Sequence, residues 1–231
     1  MNWLQLAQEV KRESGLTGGG PSALATATGD DLRIFNWVAW AWRDIDLMHE
    51  AWLWRRGAAL ATTSASMTLP GAAIPPGFAR PDFGSWIQSS DVYSPSAYRV
   101  TDGKIAERNL TFLEYDTFRR NFIQGTHTAA GLQYWTIAPS GDLMVGPTPD
   151  AAHVVRADYI KDHVALSADT STPAMPARFH PLITWYALRE YGGFDAASEV
   201  WQRADRNYGS GYSALAQAQL PRMRWRTRPL A

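Results

Sequence analysis

The stretch from Asp31 to Arg56 carries two apolar stripes at helical spacing, and a helix with one wet face needs only one. Ile34, Val38, Ala41, Ile45, Met48 and Trp52 form the first stripe, and Phe35, Ala39, Trp42 and His49 the second. Asp30 and Asp31 at the start and Arg55 and Arg56 at the end suit the helix dipole, so the spacing predicts one long helix over this stretch. Two stripes demand cover on two sides, from a larger bundle or from a neighbouring copy. Asp44, Asp46 and Glu50 take part of what is left and read as an acidic, solvated helix face. Asp46 and Glu50 stand one turn apart, but a solvated face is the far commoner use of such a pair than catalysis. His49 has no His or Cys at ligand spacing and reads as a packed or capping residue.

Four more helices and a run of strands follow from local signals. Asn2 is placed to cap a helix over Trp3–Glu13, which Gly15 and the run Gly18-Gly19-Gly20-Pro21 end. No Lys-Ser/Thr follows those glycines and no strand precedes them, so they read as a hinge and not as a phosphate cradle. Ala58 to Pro95 is loose in pattern, with turn signals at Pro70-Gly71 and Pro75-Pro76-Gly77. Asp102-Gly103 joins two short strands, Tyr98–Thr101 and Ile105–Phe112, as a hairpin. A short helix over Tyr115–Phe122 and three strands near 134–138, 143–145 and 154–160 complete this region. Helices are expected again at Arg178–Tyr191, ended by Gly192-Gly193, and from Phe194 to about Gln217, with a kink at Gly209 and Gly211. The fold class expected is α+β: an antiparallel bundle of two N-terminal and two C-terminal helices, an inserted small antiparallel β-rich subdomain, and an extended tail. The boundaries fall at 1–66, 67–173, 174–218 and 219–231.

Composition narrows the function. The chain has no cysteine, which removes disulfides and thiolate metal sites. His127, His153, His163 and His180 are isolated from other ligands, and there is no Gly-x-Ser-x-Gly elbow. No catalytic, cofactor-binding or metal-binding residue is expected. The N-terminus reads as neither signal nor transit peptide, and no apolar run approaches the roughly 20 residues that span a bilayer.

The net charge is zero, but four of the 22 basic residues lie after Gln219 with no acid among them, leaving 18 against 22 acids in the body. A near-neutral body does little to keep copies apart. In the tail Arg222, Arg224, Arg226 and Arg228 alternate with Met223, Trp225 and Thr227, so an extended chain puts the arginines on one face. Three readings stay open: a loose terminus, a nucleic-acid contact, or a strand or clamp on an acidic partner. A glycan-binding or glycan-cleaving protein using exposed aromatics is the alternative of another class, with Asp46, Glu50 and Asp158 as its only acids of interest.

The order of elements, together with Trp135-Thr136-Ile137, Gly141-Asp142-Leu143, Pro147-Thr148-Pro149-Asp150, Arg156-Ala157-Asp158-Tyr159, Met175-Pro176-Ala177-Arg178 and Ala187-Leu188-Arg189-Glu190-Tyr191, resembles the head-to-tail connector adaptors of tailed bacteriophages. The resemblance implies a non-enzymatic virion protein at the head–tail junction, made in the host cytoplasm, with no cofactor and no membrane. It implies a homo-oligomeric ring, dodecameric in most such proteins, that docks beneath the portal and extends the DNA channel, DNA passing without specific binding. The ring offers a platform to the tail or the next head-completion protein. Carried to this chain, Arg222, Met223, Arg224, Trp225, Arg226 and Arg228 become the portal-contacting tail, and the β insertion faces outward or toward the phage tail.

Overall fold

A computed structural model describes residues 1–18, 20–63, 82–88, 94–124 and 128–221. The main elements in chain order are α1 (Trp3–Ser14), α2 (Asp30–Leu47), β1 (Arg56–Thr62), β2 (Phe83–Trp86), β3 (Ser96–Arg99), β4 (Arg108–Asn109), β5 (Thr111–Phe112), α3 (Tyr115–Phe118), β6 (Tyr134–Ile137), β7 (Leu143–Gly146), β8 (His153–Lys161), α4 (Pro181–Phe194) and α5 (Ser198–Gln219). The fold is α+β, with antiparallel and mixed sheets. It divides into two compact units, one built from Met1–Arg55 and the chain from His163 onward, the other from Arg56–Asp162. The turn signals at Pro70-Gly71 and Pro75-Pro76-Gly77, and His127, lie outside the described residues.

In the helical unit, α1 begins with the cap its sequence announces. The Asn2 side chain accepts from the Gln5 amide, and the Gln5 side chain accepts from the Asn2 amide, each at 2.9 Å. Helix α2 buries a broad arc: Ile34, Phe35, Trp37, Val38, Ala41, Trp42 and Ile45. The chain itself covers both sides of that arc. Trp3 of α1 meets Phe35 edge-on at 5.3 Å and donates its indole N–H to the Phe35 carbonyl at 3.1 Å. Tyr191 of α4 packs edge-on against Trp37 at 6.0 Å. Helix α4 lies against α1, α2 and α5, which is why Leu182, Ile183, Ala187 and Leu188 around it are all buried.

Helix α2 stops at Leu47, well short of Arg56. The carbonyls of a last helical turn have no intrahelical partner, and here side chains from beyond the stop satisfy two of them. Trp52 donates its indole N–H to the Ile45 carbonyl at 2.9 Å, and Arg55 donates to the Asp46 carbonyl at 3.3 Å. The basic end expected of the helix therefore acts on its C-terminus from outside it. The glycines expected to interrupt the last two helices instead lie inside them. A Cβ at Gly192 would sit 2.8 Å from the Trp201 Cβ, and one at Gly211 would sit 2.4 Å from Leu182 Cδ2. Each glycine lets α4 and α5 approach closely, and α5 runs unbroken for 22 residues.

At the start of α4, His180 is buried with Nε2 3.0 Å from the Met175 carbonyl and Nδ1 2.7 Å from the Met1 amine. A neutral ring satisfies both, Nε2–H donating and Nδ1 accepting. Burial above all holds its pKa below the ordinary 6.5.

The β unit has two sheets. One runs β1-β8-β3-β4, with β2 also paired to β8; the other runs β5-β6-β7. Strand β8 alternates cleanly, turning His153, Val155, Ala157 and Tyr159 inward. Strand β1, in a region whose pattern reads as loose, pairs antiparallel with β8 so that Gly57 faces Tyr159, Ala59 faces Ala157 and Ala61 faces Val155. Its small residues are weak strand formers, but the space is already taken: a Cβ on Gly57 would come within 2.4 Å of the Tyr159 ring. The β3–β4 hairpin forms about Gly103, which has φ 71°. Its strands are shorter than expected, and β5 departs from the antiparallel expectation by pairing parallel with β6. Trp86, Trp135, Leu143, Val145 and Tyr159 fill the core of this unit.

Candidate docking surfaces

The arginine-rich tail begins where α5 stops. The helix ends at Gln219, Leu220 is extended, and Pro221 follows. Arg222, Met223, Arg224, Trp225, Arg226 and Arg228 lie outside the described residues.

The three acids of the expected solvated face separate. Glu50 is exposed. Asp44 is half-buried, 3.1 Å from Arg43, and accepts from the Tyr186 hydroxyl at 3.2 Å. Burial first, and the Asp44 charge second, raise the Tyr186 pKa above the ordinary 10.0. Arg189 lies 5.6 Å from the Tyr186 ring centre and 5.3 Å from that of Tyr208. Burial pushes the Tyr208 hydroxyl up to about 12.

Asp46 corrects the expectation, because it is only 2 % exposed. One carboxylate oxygen accepts from the Trp54 indole N–H at 2.7 Å, and the other is 2.8 Å from His163 Nδ1. Trp54 stands just before the chain leaves the helical unit, and His163 is the first residue after it returns. Asp46 thus holds the outgoing and returning segments of this unit together. The helix rotation is the reason: Asp46 directly follows Ile45, and the buried arc of α2 is wide enough to include it. Nothing in the sequence near Asp46 points to His163, which is 117 residues away.

The glycan-cleaving alternative finds no geometry among the described residues. Asp46 is committed to Trp54 and His163, and Asp158 belongs to β8 in the other unit. The Asp158 pKa is raised by burial, with Arg156 and Arg56 opposing the rise. His49 packs as expected, 2.7 Å from the Tyr212 hydroxyl and edge-on to Trp52 at 5.0 Å. Among the described residues no cluster of His, Cys, Asp or Glu could hold a metal ion, and no helix is long and apolar enough to cross a membrane.

What the sequence reading missed is a third face of α2. Leu32, Trp40 and Leu47 are 41, 49 and 48 % exposed, and Met48, placed in the inner stripe by its spacing, is 42 % exposed. The signal was present as the spacing 32, 40, 47, hidden by two stronger stripes. In the β unit the exposed apolar residues are more scattered. Val100 and Ile105, the latter 98 % exposed, flank the tip of the β3–β4 hairpin. Arg99, Arg108, Asp102 and His153 line a shallow polar depression beside it, where Arg99 pairs with Asp150.

A search of curated proteins found no match to this chain. The family model described as SU10 adaptor protein matches residues 1–231, the whole chain. The chain therefore belongs to the SU10 adaptor protein family, a phage head–tail adaptor family, with the structural virion role and the phage capsid or tail partners that membership implies.

Proposed function

We propose that the chain is a non-enzymatic, ring-forming adaptor that docks beneath the portal, extends the DNA channel and carries the attachment platform for the tail or the next head-completion protein. The whole-chain family match carries this reading. The bundle of four helices, packed side by side from copy to copy, makes the ring, with a dodecamer the stoichiometry to test first. Asp44 on α2 and Glu50 just beyond its end remain the candidate acidic face. DNA passes without specific binding, which suits a body in which acids outnumber bases before the tail.

The tail, 219–231, is the portal contact. Its Arg222, Arg224, Arg226 and Arg228 supply a charge opposite to that of an acidic partner surface, and Met223 and Trp225 supply apolar anchors. Because α5 needs Gln219, the clean deletion is Arg222–Ala231. The truncated chain should keep its helical circular dichroism and lose co-sedimentation with the purified portal assembly. Docking of the truncated chain at full occupancy would sink the tail assignment. Failure of the intact chain to bind the portal would sink the adaptor reading itself.

A further inference from the structure

Helix α2 carries an apolar face that none of the described residues covers. Leu32, Asn36, Trp40, Arg43 and Leu47 fall within about 80° of arc on a helix of 3.6 residues per turn. Beyond the end of the helix Met48 and Leu53 are 42 and 47 % exposed. Trp40 makes no ring contact among the described residues. The three apolar side chains of the stripe present on the order of 300 Å², about a third of one side of a standard interface.

Helix α5 carries a complementary oddity. Gln202, Arg206, Gly209, Ser210, Ser213 and Gln217 share its outer face, within about 100° of arc. Gly209 lies in the middle of the helix, where glycine is unfavourable. Unlike Gly192 and Gly211, it meets nothing: a Cβ built there has no atom within 4 Å. Among the described residues no neighbour needs the space.

We propose that these two faces are the halves of one interface between copies of this chain, the α2 stripe of one copy seating Trp40 over Gly209 of the next, with the two helices antiparallel. The proposal rests on the ring reading above and names its contact. Three features select a second copy as the occupant. The first is complementarity of size, since large exposed side chains and a glycine with open space above it occur on the same chain among the described residues. The second is charge. The ion pairs of α5 are made by Arg203 and Asp205, and Arg206 joins none among the described residues. The antiparallel setting puts Arg206, one turn before Gly209, level with the Arg43–Asp44 pair, one turn after Trp40, where it would share the Asp44 carboxylate. The third is symmetry. A ring requires two different surfaces that meet head to tail, whereas one self-complementary surface closes a dimer. The α2 and α5 faces are such a pair, on two helices that each pack on α4.

The absence of cysteine makes the test clean. Asn36 lies one turn before Trp40, and Ser213 one turn after Gly209, so the antiparallel setting brings them together. The full chain carrying both Asn36→Cys and Ser213→Cys is oxidised in the presence of the purified portal assembly, with native mass measurement reporting assembly separately. A ladder of covalent multimers is expected from the double variant. A mixture of the two single variants should stop at covalent dimers, and each single variant alone should give none. Adding Trp40→Glu, at an exposed site that the fold tolerates, should reduce the ladder at least tenfold without changing the circular dichroism. If the assembled ring forms but the double variant gives no ladder, or if Asn36→Cys cross-links to itself, the proposed faces are wrong and the ring reading stands. If no assembly forms with the portal present, both fall.

Discussion

The helical unit and the β unit both hide large aromatic residues, and two sites show different ways of doing it: ring on ring at Trp52 and ring on glycine at Tyr159. In the helical unit bulk meets bulk. Trp52 stacks on Trp54 at 4.5 Å, Trp3 meets Phe35, and Tyr208 stacks on Tyr212 at 5.8 Å. In the β unit, where ring pairs such as Phe112–Trp135 also occur, bulk meets absence at two places. Tyr159 lies over Gly57, and Phe118 lies against Gly146, where a Cβ would come within 2.9 Å of the ring. The first arrangement makes a core that depends on each large side chain. The second makes a core that depends on positions where a side chain is missing. The two kinds of site should therefore fail under opposite substitutions.

The largest effect is expected from Trp52→Ala. The residue is fully buried, its indole N–H caps the Ile45 carbonyl, and its ring supports Trp54. Truncation leaves a cavity and an unsatisfied carbonyl, at a cost of about 3–5 kcal/mol. Urea unfolding followed by hydrogen exchange should show protection falling in α2 and α4 by more than in β8. Equal loss in both units would mean that the two cores unfold as one, and the contrast between them would lose its energetic meaning.

Gly57→Ala tests the other side. One added methyl must displace the Tyr159 ring, which is 2 % exposed and has Trp86 and Phe83 as aromatic neighbours. Overpacking of this kind costs about 1–3 kcal/mol, and the exchange protection of β1 and β8 should drop while that of α4 holds. The double variant Gly57→Ala with Tyr159→Phe should not recover, because the clash is with ring carbons as well as the hydroxyl. An unchanged midpoint for Gly57→Ala would show that the sheet accommodates bulk, removing the physical reason offered for the composition of β1.

The same contrast explains what could be read in the sequence. Strand β8 was legible because its partners on both sides are built to receive it: four inward residues alternate without a break. Strand β1 was not, because Arg56-Gly57-Ala58-Ala59-Leu60-Ala61-Thr62 takes its composition from its neighbour's ring and not from strand propensity. The helices were legible in number and face but not at their ends. The stop of α2 is set by Trp52 and Arg55 folding back onto carbonyls, a tertiary event with no local mark. Gly192 and Gly211 looked like breaks because a glycine that weakens a helix and a glycine that admits a neighbour are the same letter. Asp46 looked solvated because its position one turn before Glu50 suited an exposed face, and its partners Trp54 and His163 both lie beyond the end of the helix. The alternating arginines of the tail lie outside the described residues, and the exposed outer face of α2 was masked by the two stripes beside it.

The smallest effect separates two glycines one turn of the same helix treats differently. Gly211→Ala should destabilise, since its Cβ would press on Leu182. Gly209→Ala should stabilise the isolated chain by about 1 kcal/mol, because alanine is the better helix former and nothing stands in its way. For a chain of this size that corresponds to a rise in Tm of about 2–4 °C, within reach of differential scanning calorimetry. Gly209→Leu is the informative companion. A larger side chain in open solvent should leave the isolated chain as stable as Gly209→Ala to within a few tenths of a kcal/mol, while filling the seat assigned to Trp40. If Gly209→Ala lowers Tm, the glycine has a role inside its own fold. The space above it then ceases to be a vacancy that only a neighbouring copy explains, and the difference drawn between Gly209 and Gly211 disappears.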